Sequence, residues 1–217
     1  YVIRPGSADV SDDAGVVVPW WSFTKMLIAA TAMTMVRDDQ LALDERLSGQ
    51  SFTLRQLLQH RAGLADYGSL PAYHAAVAAG EDAWPVDRLL HSVSALHAGI
   101  EPGHFTYSNV GYLLVRRHLE RASGLTLDAL MRRRLFEPFD LTGPRIAGQR
   151  GDLADVRMGD VPPYDPRWVY HGLAVGTLRD AAMLLHRLMT TDLLPAGLRD
   201  EMCTGIAVGD PGAGRPW

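Results

Sequence analysis

The stretch from Ser22 to Arg37 most constrains the fold. Met26, Leu27, Ala30, Met33 and Val36 recur at helical spacing, and a polar end follows at Arg37-Asp38-Asp39. A helix so rich in methionine and alanine has no wide face to give to water. It therefore runs through the interior of the protein.

On the N-terminal side, Val2-Ile3 and Val16-Val17-Val18 read as short strands, the second ended by Pro19, with a turn over Gly6–Gly15 between them. Together they form a candidate antiparallel hairpin at a sheet edge. Asp9, Asp12 and Asp13 lack the spacing and glycine of a calcium loop and read as a solvated turn.

After the long helix, Thr53 caps a helix carrying Leu54, Leu57 and Leu58 that stops near His60, before Gly63. An alanine-rich helix follows around Tyr73–Ala79. Another opens at Pro85-Val86-Asp87, with Leu89 and Leu90 inward. Glu101-Pro102-Gly103 is a turn, and Ser108 or Asn109 caps a helix with Leu113, Leu114, His118 and Leu119. A further helix starts at Thr126 and ends before Pro138, with Arg133-Arg134 on its solvated face. Gly143–Pro166 reads as an irregular connection. Thr177 caps a helix containing Met183, Leu184, Leu188 and Met189, and the glycines and prolines after Cys203 show no complete strand pattern.

Composition narrows the function. The 217 residues, 47% of them hydrophobic, suffice for one domain with two lobes. A net charge of -4 offers nothing to nucleic acid or an anionic membrane, and the apolar stretches are too short to span a bilayer. Cys203 is the only cysteine, so no intrachain disulfide forms; without a basic neighbour in sequence it reads as a small buried hydrophobe. Of the 21 Lys+Arg residues, Lys25 is the sole lysine and the other 20 are arginine. Arginine can form an ion pair but does not readily give up its proton, whereas lysine does.

That lysine stands three residues after Ser22 in Trp21-Ser22-Phe23-Thr24-Lys25. If the helix begins near Ser22, the spacing puts the hydroxyl and the amine on one face. The helix start also supplies free N–H groups and positive potential for developing negative charge. Serine needs a base to become a nucleophile, and burial lowers a lysine pKa towards that task. Trp20, Trp21 and Phe23 beside it either wall an acyl pocket or fill the core. Downstream, Tyr107-Ser108-Asn109 offers a phenol able to relay a proton and an amide able to orient substrate and lysine. The non-catalytic reading has Tyr107 packing on its loop and Asn109 capping the helix.

Ser22-Phe23-Thr24-Lys25 and Tyr107-Ser108-Asn109 resemble the first two motifs of the serine β-lactamase and penicillin-binding-protein superfamily. The likeness is strongest to its class C β-lactamase, D-alanyl-D-alanine carboxypeptidase and related esterase branch. Leu57–Leu64 is similar to the segment after that family's first long helix, and Gly172–Thr177 with Arg179-Asp180 to its glycine-rich turn into a helix. The resemblance implies an α+β fold, a helical lobe plus an antiparallel sheet flanked by helices, with the site between the lobes. Over residues 1–217 it implies one domain: N-terminal strands over 1–21, a mainly helical region over 22–170, and a return towards the sheet over 171–217.

It further implies a covalent acyl-enzyme on Ser22, with Lys25 as proton acceptor, Tyr107 as relay, Asn109 as substrate positioner and the Ser22 backbone N–H as half of an oxyanion hole. No metal or cofactor is implied. Substrates are esters, amides or β-lactams, small molecules or peptides, and the setting is periplasmic or extracellular, with a cytoplasmic one left open. The family's third motif, lysine or histidine then a variable residue and glycine, finds no match before Trp217. The expectation is a sheet lacking its C-terminal strands, completed by a further fragment or second chain. His171-Gly172 does not supply the motif; His171 reads as a packed or surface histidine, with the cleft edge as the alternative. His60 reads as structural, bridging the turn at Arg61-Ala62-Gly63. A catalytically inactive ligand- or protein-binding member is the main alternative function.

Overall fold

The computed structural model of the protein describes residues 15–94, 96, 100–159 and 164–205. The Val2-Ile3 strand, its turn, the three aspartates and the segment from residue 206 lie outside the described residues.

The long apolar helix, α1 (Phe23–Arg37), is the axle of the molecule. Leu27, Ile28, Ala30, Ala32, Met33 and Met35 are buried in the main core, and so are the hydroxyls of Thr31 and Thr34. The two hydroxyls donate back to the Leu27 and Thr31 carbonyls at 2.8 and 2.7 Å, so they enter the core with their hydrogen bonds made. Around α1 stand α2 (Leu54–Leu58), α5 (Asn109–Ser123) and α6 (Leu127–Met131), while α3 (Pro71–Ala78) and α4 (Val86–Ser94) bury Ala76, Leu89 and Val93 in a second core with Trp84, Trp168 and Tyr170. Thr53, Ser108 and Thr126 cap α2, α5 and α6 by accepting backbone N–H groups, as their sequence positions suggest. Thr53 and Gln56 close a reciprocal capping box. The chain leaves α6 through one π-helical turn, Arg132–Phe136.

A three-stranded antiparallel sheet lies against this helical body, in the order β1-β3-β2. Its strands are β1 (Val17–Pro19), β2 (Arg145–Ala147) and β3 (Leu173–Thr177). Val18 pairs with Gly176, and Ile146 with Ala174. After β3 come α7 (Leu178–Thr190) and α8 (Ala196–Cys203). This is the expected α+β arrangement, with helices flanking a small open antiparallel sheet.

Several local expectations are corrected. Gly172–Thr177 is not a turn: Leu173–Thr177 is the central strand, because Leu173, Ala174 and Val175 form a fully buried run. Its glycine has a packing reason. A Cβ on Gly176 would meet the Trp20 indole at 2.5 Å, and the Trp20 Nε1–H donates to the Gly176 carbonyl at 3.2 Å. Pro19 ends β1 from within, opposite Val175; the strand tip is a position that tolerates a missing donor. Inside the supposedly irregular Gly143–Pro166 lies β2, three residues long and too short to show alternation. Arg134 is not on a solvated face. It reaches back to Asp38, Gln40 and the Thr34 carbonyl, clamping the end of α1. Cys203 is exposed rather than buried, on the unanticipated α8.

Candidate active site

The junction between β1 and α1 is built as a rigid step. The Trp20 N–H donates to the Ala174 carbonyl at 2.8 Å, and the Ala174 N–H donates to Thr24 Oγ1 at 3.1 Å. Both sides of the step are therefore stapled to β3. Between them Trp21 adopts φ +41, a left-handed conformation that a bulky residue enters only at a cost of about 1–3 kcal/mol. The first turn then closes tightly, Phe23 N–H to Trp20 O at 2.8 Å and Lys25 N–H to Ser22 O at 3.0 Å. Ser22 occupies the N-cap position, yet its side chain caps nothing. Its hydroxyl is left exposed at the start of the helix.

Ser22 Oγ lies 2.9 Å from the Tyr107 hydroxyl and 3.4 Å from Lys25 Nζ. Lys25 is 5% exposed. Burial lowers its pKa from 10.5 to about 8, against the negative charge of Asp66, which raises it. The rings of Tyr107 and Tyr112 lie 5.0 and 5.9 Å from Nζ. Burial likewise pushes the Tyr107 phenol up, and its hydrogen bond with Ser22 pulls it down.

Tyr107 is held by residues far away in sequence. His60, at φ +55, accepts the Thr106 N–H on its carbonyl at 2.8 Å and the Ser108 N–H on Nδ1 at 3.1 Å. Its ring packs 4.6 Å from that of Tyr107. Arg61 and Gly103 exchange two further bonds, the Gly103 N–H to the Arg61 carbonyl and Arg61 Nε–H to the Gly103 carbonyl. The Leu57–Leu64 segment thus acts as a bracket for the tyrosine loop.

Asn109 sits at the first position of α5. Its backbone N–H donates to Asp66 Oδ1 at 2.8 Å and its side-chain amide to Asp66 Oδ2 at 3.2 Å. The carboxylate is also well placed against the positive end of α5. Sequence reasoning missed Asp66, because no periodicity or motif singles it out; only its place just after Gly63-Leu64-Ala65 ties it to the bracket.

His171 is neither at the surface nor merely packed. It is 3% exposed, and its Nε2 lies 3.2 Å from Lys25 Nζ. Trp21, 44% exposed, meets Tyr164 edge-on at 5.6 Å. Ser22, Asn109, His171, Trp21, Tyr67, Tyr73 and Tyr164 all line one cleft of about 240 Å³. The three tyrosines were not anticipated. Of the aromatic residues beside Ser22, Trp20 went to the core, Phe23 packs edge-on against it, and Trp21 alone faces the cleft. Among the described residues no cluster of three or more His, Cys, Asp or Glu is placed to hold a metal ion, and no helix is long and apolar enough to cross a membrane.

A family model described as Beta-lactamase matches residues 8–215, almost the whole sequence. The chain belongs to this beta-lactamase family. Among curated proteins it is similar to lovastatin esterase from Penicillium rubens, 27% identical over 148 residues, which cover 67% of this chain and 36% of that protein. The chain thus spans about a third of that relative's length. Among solved structures it resembles a D-stereospecific amidohydrolase from Streptomyces sp., with a TM-score of 0.74 and 22% identity over 91% of this chain and 68% of the other. It also resembles SurE bound to D-Leu, with a TM-score of 0.67 and 28% identity over 91% of this chain and 47% of that one. These likenesses place it in the β-lactamase and penicillin-binding-protein superfamily without singling out a branch.

Proposed function

We propose that the protein is a serine hydrolase that forms a covalent acyl-enzyme on Ser22 from an ester, amide or β-lactam carbonyl, with esters and D,D-peptide-like amides favoured. The observation that carries this reading is the contact of an exposed Ser22 hydroxyl with both the Tyr107 phenol and a buried Lys25 amine whose pKa is lowered to about 8.

In this scheme neutral Lys25 takes the Ser22 proton as Oγ attacks the carbonyl carbon. The oxyanion that forms is met by the Ser22 N–H at the open start of α1. Tyr107, in contact with Oγ, relays the proton taken up by Lys25 to the leaving oxygen or nitrogen, so that both groups return to their starting forms. Water then resolves the ester, its hydroxyl going to the acyl carbon and its other proton to Ser22 Oγ. Asn109, steadied by Asp66, orients the substrate beside Ser22. The aromatic cleft wall of Trp21, Tyr67, Tyr73 and Tyr164 suits an apolar acyl group. Relatives named for esterase and D-stereospecific amidohydrolase activity support the choice of ester and amide substrates.

Intact-mass analysis after exposure to a fluorophosphonate and to a panel of β-lactams tests the reading. One adduct per chain, mapped to Ser22 and lost in Ser22→Ala, is expected. Reversible ligand binding without any adduct across the panel would instead make the protein a binding module.

A further inference from the structure

His171 is a buried imidazole in contact with the only lysine, and no role follows for it from the acyl-enzyme scheme. The tight turn Val169–Gly172, closed by the Gly172 N–H to the Val169 carbonyl at 2.7 Å, delivers it to the floor of the cleft. Gly172 makes that delivery possible: it has φ +106, and a Cβ there would stand 2.8 Å from a Leu127 methyl.

Hydrogen-bond counting decides what the contact is. When Lys25 is an ammonium it has three donors and no lone pair, so His171 Nε2, 3.2 Å away, must be the acceptor. The ring proton then resides on Nδ1, which is buried and has no hydrogen-bond partner among the described residues. When Lys25 loses its proton it keeps two donors and gains one lone pair. One donor committed to His171 limits the rotation of the amine, and the lone pair can then face Ser22 Oγ on its other side, 3.4 Å off.

We infer that His171 is a positioning residue for Lys25: its Nε2 accepts an amine hydrogen and turns the lone pair of the neutral lysine towards Ser22. The inference rests on the acyl-enzyme reading for its purpose, though not for its geometry. The charged and titratable groups acting on His171 are Lys25 of α1, Arg116 of α5 and His60 after α2; with burial foremost, all disfavour its protonation. Asp66, beyond Asn109, acts on Lys25. The imidazole thus stays a neutral acceptor across the working range of the amine.

Because Lys25 is the sole lysine, lysine labelled with ¹³C at Cε yields one side-chain resonance, whose titration reads this amine directly. His171→Leu keeps the bulk and removes the acceptor; His171→Gln restores an acceptor near the Nε2 position. The Leu variant should be labelled at Ser22 about ten- to a hundredfold more slowly. Its Lys25 titration should also fall below the wild-type midpoint, since an acceptor that favours the ammonium is gone. The Gln variant should recover most of both. In the wild type, ¹⁵N-histidine spectra should show His171, identified by the signal missing from the Gln variant, as the Nδ1–H tautomer.

An Nε2–H tautomer overturns the inference, and so does a Leu variant whose labelling slows while its Lys25 midpoint stays fixed. If the Leu variant does not fold, the wild-type tautomer decides alone. Absence of any Ser22 adduct in the wild type would sink the acyl-enzyme reading, while the tautomer and titration would still judge His171.

Discussion

His60 Nδ1 accepts the backbone N–H of Ser108 at 3.1 Å, so an imidazole beyond α2 grips the residue between Tyr107 and Asn109. A protonated imidazole cannot accept that bond. Burial first, and the Lys25 charge second, lower the His60 pKa to about 4. Between about pH 6.5 and about pH 4 the unfolded chain therefore binds more protons at this position than the folded one. The stabilisation is fully present above pH 6.5 and is lost as pH falls through 4. Urea midpoints measured across this window should drop with pH. His60→Asn, which tolerates the left-handed backbone and offers a carbonyl acceptor, should flatten the profile.

Lys25 carries a second pH signature. If it is the base, Ser22 labelling should rise with pH and level off above about 8, where the amine is neutral. Lys25→Arg keeps a positive charge that cannot be shed and should slow labelling by about 10²–10⁴-fold. Retained labelling would remove Lys25 from that role. The sign for stability follows from the lowered pKa. Between about pH 8 and pH 10.5 the unfolded chain holds the proton that the folded chain has released, so stability should climb with pH across that window.

Asp66 ties the two effects together. Asp66→Asn removes the charge that raises the Lys25 pKa and spoils the acceptor for the Asn109 amide. The alkaline rise in labelling should move to lower pH, while the plateau rate falls about tenfold for one lost charged hydrogen bond. Rates measured from pH 6 to 10 would separate the two; an unshifted rise would show that the carboxylate does not act on the amine.

Gly176→Ala tests the step that presents Ser22. The new methyl would stand 2.5 Å from the Trp20 indole, in a strand buried on both faces. Overpacking of this kind costs about 1–3 kcal/mol. A lower urea midpoint should be accompanied by slower labelling, because Trp20 immediately precedes the strained residue that aims Ser22. Loss of stability with labelling unchanged would show that the indole packs without steering.

The α1 axle, the caps at Thr53, Ser108, Thr126 and Thr177, and the Ser22–Lys25–Tyr107 grouping were legible because each is written in local spacing or in a motif. The short strands were legible only in part. Val17 and Val18 announced β1, whereas three residues of β2 carry no period, and Gly176 disguised β3 as a turn although the glycine serves the Trp20 ring. Asp66 and His171 stand 43 and 146 residues from the side chains they touch. Their contacts are a property of tertiary packing: the sequence offers His171 only as a possible cleft-edge residue and gives no sign of Asp66.

Lys25 lies sealed beneath the cleft, and every other cationic side chain that is not histidine is a guanidinium. The folded surface consequently has no ε-amine to offer. Lysine-modifying enzymes find on these 217 residues no exposed side chain to act on, and cross-linking through lysine would require the chain to be opened at its own cleft first. Arginine on the outside leaves a single ε-amine to be masked or modified, and any reagent that reaches it has entered the site.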